Sequence, residues 1–203
     1  MGVAGEGAAE RCGRDFFDRP CEDLAKALLG CVVVRVCGGE ECRGRVVETE
    51  AYLGGEDKAA HSYNGHRTKR NEAMYMDPGT AYVYTVYGMH CCLNISSRGE
   101  GAAVLLRALE PVGGVEAMKE RRKAVRRERD LCNGPAKLCQ ALAINRSCDK
   151  LDIVSGQELW WERGSGEVGE VASGERVGVD YAGEWASKPL RFYLQDSLCV
   201  SKR

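Results

Sequence analysis

Gly44-Arg45-Val46-Val47-Glu48-Thr49-Glu50-Ala51-Tyr52-Leu53 decides how this chain is read. Val46 and Val47 end a buried strand, because β-branched side chains suit a pleated, half-buried surface. Glu48, Glu50 and Tyr52 follow at period two, and in an extended segment the three share one face. Two carboxylates and a phenol there admit two readings: a solvated strand face, or a general base held where water can reach it. Just upstream, Cys31–Cys37 is an apolar strand and Gly38-Gly39 a hairpin turn, so residues 41–50 form its antiparallel partner. Further back, Pro20 opens a short helix with Leu24, Ala27 and Leu28 on one face, and Gly30 ends it.

The 203 residues suffice for one substantial core. With 29 basic and 30 acidic side chains, the net charge is −1, so any nucleic-acid surface has to be local. There are 25 glycines, against roughly 14 for an average usage of ~7%, which predicts a fold rich in strands and turns. Eleven cysteines are an odd number in a chain with no run of signal-peptide or membrane-span type, so buried free thiols in a reducing compartment are expected. No C-x-x-C pair exists, and His61, His66 and Cys42 lack zinc-site spacing, so no metal is expected. Residues 1–14 carry few bulky apolar side chains and read as a disordered segment.

Downstream of Leu53, residues 54–71 are a polar loop holding His61, Tyr63, His66, Arg67, Lys69 and Arg70. Imidazoles and cations close to an aromatic suit either a nucleic-acid contact or an ordinary wet loop. After the turn at Asp77-Pro78-Gly79-Thr80, Tyr82 and Tyr84 alternate as strand residues, and Tyr87-Gly88-Met89 is the tip of a hairpin returning through residues 91–96. A Tyr and a Met at a tip are costly to solvate. Either the tip contacts something, such as a base stack into which it wedges, or Tyr87 folds back onto the core.

Residues 102–109 form an apolar strand with one cation, Arg107, whose burial would require a partner, best a carboxylate. From Val112 the chain reads as a charged helix through Arg129, and Asn133-Gly134-Pro135 as the start of a second over residues 136–144, whose free amides and Lys137 form a candidate phosphate cradle. Residues 151–161 and 176–179 read as strands, 164–174 as a loop, and 188–193 as the closing segment.

Several of these blocks resemble one family, the alkyladenine (3-methyladenine) DNA glycosylases of base-excision repair. They are residues 43–53, Pro78-Gly79-Thr80-Ala81-Tyr82-Val83-Tyr84, Tyr87-Gly88-Met89 with Leu93-Asn94-Ile95-Ser96, residues 104–111, Gly134-Pro135-Ala136-Lys137-Leu138-Cys139-Gln140-Ala141-Leu142, and Pro189-Leu190-Arg191-Phe192-Tyr193. The match runs from about Phe16 to Ser201 in one order. It implies a catalytic domain over residues 15–203. Together with the strand pattern it gives an α/β (α+β) fold: one domain with a curved, mostly antiparallel sheet, surrounding helices and a protruding β-hairpin.

The resemblance implies hydrolysis of the N-glycosidic bond of damaged purines in double-stranded DNA: alkylated adenine and guanine, hypoxanthine, ethenoadenine. It gives Glu50 the role of general base, with Arg107 and the Val177 carbonyl holding the attacking water. Tyr52, His61 and Tyr84 resemble the pocket that stacks on the extruded base, and Asn94 the residue that crowds the guanine amino group. Tyr87 resembles the wedge, Met89 its neighbour in the minor groove. Thr68, Arg70, Met74 and Lys137 lie in blocks that resemble DNA-backbone contacts.

No cofactor, no membrane and a monomer are implied. The nucleus is the implied compartment, with the mitochondrion a second candidate. His66, Asp77 and His90 depart from the pattern, which points to weaker DNA affinity. Two rivals stand beside this reading: a lesion binder that flips without cutting, and a domain sharing the fold but not the pocket.

Overall fold

A computed structural model describes residues 10–202 of the chain. In chain order the elements are α1 (Arg14–Phe17), α2 (Cys21–Ala27), β1 (Val32–Cys37), β2 (Glu40–Tyr52), β3 (Ala81–Val86), β4 (His90–Ser96), β5 (Ala103–Gly113), α3 (Val115–Arg121), α4 (Pro135–Ala141), β6 (Leu159–Glu162), β7 (Val171–Gly174) and β8 (Arg191–Leu194). The eight strands make one open, wholly antiparallel sheet in the order β3-β4-β5-β2-β1-β6, with β8 also on β2 and β7 on β8. This is the single α+β domain expected. Among the described residues no helix is long and apolar enough to cross a membrane.

The opening stretch is the middle of the long strand β2, and its surroundings settle the two readings of its face. One edge of β2 pairs with β5; the other pairs with β1 up to Arg45 and with β8 from Glu48 to Glu50. Val46, Val47, Glu48, Thr49, Glu50 and Ala51 are all buried, so the solvated face is excluded. Helix α2 covers one side, where the Thr49 hydroxyl donates to the Ala25 carbonyl at 2.9 Å. Where β1 gives way to β8, the β2–β5 register slips twice. Val47 has no partner on β5, and Arg107 none on β2. Such bulges re-aim side chains, and here the unpaired residue on β5 is the cation of the apolar strand.

The main core joins Phe17, Leu24, Leu28, Leu93, Leu106 and Trp161 between the sheet and the helices. All eleven cysteines are free, and nine are buried. Gly114 shows how tightly the chain closes. It turns β5 into α3 at φ +67°, and a Cβ there would lie 2.2 Å from the Glu41 carbonyl oxygen. Gly114→Ala is therefore expected to cost at least the ~1–3 kcal/mol of a non-glycine residue in that region, and a lower thermal midpoint by circular dichroism would show it. An unchanged midpoint would mean that the turn can relax.

Five boundaries differ from the sequence expectation. The segment read as disordered lies, for residues 1–9, outside the described residues, while residues 10–14 are packed. Cys12 is fully buried with its N–H on the Trp161 carbonyl at 2.8 Å, and the Arg11 guanidinium sits over the Trp160 ring at 5.2 Å. Those partners lie about 150 residues away, beyond what local composition reports. The charged helix stops at Arg121, since Arg122 turns back to donate to the Asp130 and Leu131 carbonyls at 2.6 and 2.5 Å. Helix α4 ends at Ala141, followed by left-handed Ala143 at φ +52°. Residues 151–158 are turns, with Asp152 accepting from the Val154 N–H and the Ser155 hydroxyl, an arrangement that competes with strand pairing. The strand expected at 176–179 stands instead at Val171–Gly174, because Arg176 leaves the sheet to form a buried ion pair.

Candidate active site

Four strands, β2 to β5, and the loops between them and around residue 177 enclose a cavity of about 210 Å³, lined among others by Tyr52, His61, Tyr84, Asn94, Arg107 and Val177. Ordinary ligand pockets start near ~300 Å³, so this one suits a single flat heteroaromatic group rather than a larger molecule. Its walls are aromatic. His61 meets Tyr84 edge-on at 4.7 Å and 78°, while Tyr82 backs Tyr84 at 5.2 Å. His61 Nδ1 is 2.8 Å from the Tyr82 hydroxyl, which fixes the ring. Although one edge of His61 opens to solvent, packing against the tyrosines, together with the Arg70 charge, lowers its pKa and favours neutral imidazole. The guanidinium of Arg176 lies 4.8 Å from the Tyr52 ring centroid, and that of Arg70 5.5 Å from Tyr84. Asn94, 5% exposed, donates from Nδ2 to the Tyr82 carbonyl at 3.1 Å.

Glu50, on β2, is fully buried directly behind the wall of this cavity, bonded to its lining residues Tyr52, Arg107 and Val177. Its Oε1 accepts the Val177 N–H at 2.7 Å and lies 3.2 Å from Arg107 Nη1; its Oε2 accepts the Tyr52 hydroxyl at 2.8 Å. Burial raises its pKa, opposed by the Arg107 charge and by the Val177 and Tyr52 hydrogen bonds, with Glu48 adding to the rise. A carboxylate has about four lone-pair positions, and three are engaged. One remains to take a proton. Tyr52, held to that carboxylate and desolvated, has its own pKa pushed far up, so it stays a donor.

Behind Glu50 stands Glu48, also fully buried. It accepts from Arg107 Nε at 3.2 Å, from Arg191 Nη1 at 3.0 Å and from the Ser201 N–H at 2.6 Å. The carboxylate partner that Arg107 requires is therefore present twice over. A separate buried pair ties the loops at the cavity mouth. Asp57 grips Arg176 at 2.6 and 2.8 Å, and Arg176 also donates to the Ala51 carbonyl at 2.9 Å.

The sequence pattern of methylpurine-DNA glycosylases matches residues 15–198. The chain belongs to the methylpurine-DNA glycosylase family. A human protein named DNA-3-methyladenine glycosylase is 54% identical over 207 residues, which cover 97% of this chain and 70% of the human one. The mouse protein of the same name is 52% identical over 94% of this chain and 61% of its own. A probable DNA-3-methyladenine glycosylase of Encephalitozoon cuniculi is 51% identical over 90% of this chain and 88% of its own. The chain thus spans roughly two thirds of the length of its mammalian relatives.

Within this methylpurine-DNA glycosylase domain, the structure gathers Glu50, Arg107, Val177, Tyr52, His61, Tyr84 and Asn94 at one cavity. Val177 meets Glu50 through its N–H; the expectation concerned its carbonyl. Tyr87 and Met89 stand at the hairpin tip, 89% and 75% exposed, so the folded-back alternative for Tyr87 is excluded. The tip is a tight three-residue connection between the paired Val86 and His90, with Tyr87 at φ +51° and Gly88 at φ +72°, both left-handed. A non-glycine residue held there is a strained position of the kind found at functional sites.

Thr68 is half-buried, its N–H and hydroxyl both on Asn71 Oδ1, and Arg70 is exposed. Lys137 is exposed with Nζ on Asn133 Oδ1 at 2.8 Å. Met74 is 3% exposed: it lies in a 3-10 turn, packs with Tyr82 and Ala103 and lines the cavity. His66, Asp77 and His90 are all exposed.

Sequence reasoning passed over Asp57, Arg176, Arg191 and the exposed Tyr181 at the cavity mouth. For Arg191 the signal was available. It is a lone cation in the apolar strand Leu190–Leu194, as Arg107 is in β5. Among the described residues no cluster of three or more His, Cys, Asp or Glu could hold a metal ion.

Proposed function

We propose that this protein is a monofunctional DNA glycosylase. It flips a damaged purine out of duplex DNA and hydrolyses its N-glycosidic bond, starting base-excision repair. The observation that carries the reading is Glu50: a carboxylate with one free acceptor position, held directly behind the wall of an aromatic cavity sized for one base by three residues that line it, Val177, Arg107 and Tyr52. In the proposed step Glu50 takes a proton from water, the water oxygen bonds to the sugar anomeric carbon, and the carbon–nitrogen bond breaks with its electron pair leaving on the base. Arg107 and the Val177 N–H keep the carboxylate aimed. No lysine lines the cavity, so water is the nucleophile and the product an abasic site in an intact strand.

Stacking on Tyr52, His61 and Tyr84 favours electron-poor rings, so alkylated, cationic purines, hypoxanthine and ethenoadenine are the proposed substrates. Asn94 is the proposed filter against normal guanine. The reading places the protein in the nucleus, or in mitochondria, acting as a monomer; eleven free thiols suit a reducing compartment.

Single-turnover release of hypoxanthine from a duplex oligonucleotide tests this. Tight lesion binding without release of the base would make the protein a damage reader instead. Tyr87→Ala supplies a second check. Filling the gap left by a flipped base offsets a few kcal/mol of unstacking, so the variant is expected to excise roughly 10- to 100-fold more slowly from a stable pair, and to lose less from a mispair. Because Tyr87 is almost fully exposed, the unfolding free energy should stay within about 0.5 kcal/mol of wild type. Equal rates for both proteins would remove Tyr87 from the wedge role.

A further inference from the structure

Glu48 is a buried carboxylate that the step above does not use. Glu50 bonds to three residues of the cavity lining, whereas Glu48 bonds to one, Arg107, and otherwise faces Arg191 and Ser201 on the side away from the cavity. Yet it sits in a closed four-charge cluster with Glu50, Arg107 and Arg191, each 7% exposed or less. Arg107 serves both carboxylates through different nitrogens: Nε to Glu48 and Nη1 to Glu50, each at 3.2 Å. Its backbone is the unpaired residue of a bulge, so the β2–β5 ladder does not set its direction. The side-chain tether has to.

The C-terminal strap joins the same cluster. Ser201 donates its N–H to Glu48 Oε2 at 2.6 Å, and its hydroxyl accepts from Arg107 Nη2 at 3.2 Å. The Lys202 carbonyl accepts from Arg191 Nη1 at 2.9 Å. Cys199 and Val200, 7% and 9% exposed, bury the strap beside them. Stability alone is a poor reason for such an arrangement, because buried ion clusters are often matched or bettered by apolar side chains of the same volume.

We propose that Glu48 is a positioning residue and that the C-terminal strap, residues 199–202, completes the device: together they hold Arg107 in the one orientation that serves Glu50. The inference rests on the reading of Glu50 as general base. It makes residues 199–202 part of the catalytic scaffold, although none of them lines the cavity.

Two variants test it, Glu48→Gln and a chain ended at Val200, each assayed by single-turnover hypoxanthine release across pH, with lesion-DNA affinity measured in parallel. The charged or titratable groups around Glu50 are Glu48 and Tyr52 from β2, Tyr84 from β3, Cys92 from β4, Arg107 from β5, Arg191 from β8, and Arg176 and Tyr181 from the 176–181 loop. Glu48→Gln removes the one carboxylate among these groups, leaving three guanidiniums around Glu50. The expected result is a plateau rate at least ten-fold lower, an acid limb moved to lower pH, and lesion affinity within about three-fold of wild type. The truncation keeps all four charges but sets its new α-carboxylate beside Glu48, so its plateau should fall and its limb should move the other way, to higher pH.

A well-folded Glu48→Gln protein with wild-type plateau and limb overturns the inference. So does a loss confined to the burst amplitude, which would report fewer folded molecules and not a misdirected Arg107. Should Glu48→Gln fail to fold, the truncation decides alone, and a wild-type plateau in it is equally fatal. If wild type itself releases no base at any pH, the glycosylase reading fails instead, which keeps the two failures apart.

Discussion

Glu50→Gln is expected to lower single-turnover excision by the 10²–10⁴-fold typical of a lost general base while leaving lesion binding within a few-fold. The amide keeps the shape of the side chain. Its oxygen still accepts from Val177 and Arg107, and its nitrogen can donate to Tyr52, so the cavity keeps its walls. What it cannot do is accept a proton.

The pH dependence sharpens the test. Burial raises the Glu50 pKa above the ordinary 4.5, and only the charged form is a base, so wild-type activity should fall as pH drops through that raised value. The limb thus lies above pH 4.5, and the variant should not show it. Because the folded state binds this proton more tightly than the unfolded chain does, charged Glu50 subtracts stability as pH rises from 4.5 through its raised pKa. Activity lost on the acid side is therefore titration of the base and not unfolding, and circular dichroism at the same pH should stay native. Substantial turnover by Glu50→Gln would end the role assigned to Glu50.

Arg107→Leu should have the largest effect on stability. It leaves Glu50 with no ion-pair partner within 4 Å and Glu48 with Arg191 alone, both carboxylates fully buried. Breaking a buried pair by removing one partner costs about 3–5 kcal/mol. For a domain of this size that lowers the thermal midpoint by roughly 6–20 °C. The deficit should shrink as pH falls, because a carboxylate without its cation is relieved by taking up a proton. A midpoint within 2 °C of wild type at neutral pH, or a deficit that does not change with pH, would mean that the cluster is not held together by charge. The remaining protein should excise poorly at any pH, since Glu50 then keeps the Val177 and Tyr52 hydrogen bonds but not the cation that aims it.

Several parts of this architecture could be read from residue order alone. The alternation around Gly38-Gly39 placed β1 and β2, and the Tyr87-Gly88-Met89 tip was legible because left-handed turns select their residues locally. Glu50 and Tyr52 were legible as a polar pair on a strand, and Arg107 as a cation in need of a carboxylate. Chain-local rules decided these matters: side-chain period, turn chemistry, and the cost of an unpaired buried charge.

The rest depended on which distant segments meet. No periodicity announces that Ser201 closes on Glu48 across 153 residues, or that Asp57 holds Arg176 across 119. Nor does it show that the charged run after Arg121 leaves the helix because Arg122 finds two carbonyls further on. Composition at residues 10–14 pointed to disorder, and pairing with β6 overrode it. Glu48 illustrates the division best. By itself the sequence determined that it stands on the same strand face as Glu50, and left open whether that face is wet. Only the tertiary structure decided that the face is dry, because β5, β8 and the C-terminal strap close over it, and burial turns two ordinary carboxylates into one coupled, charge-balanced device.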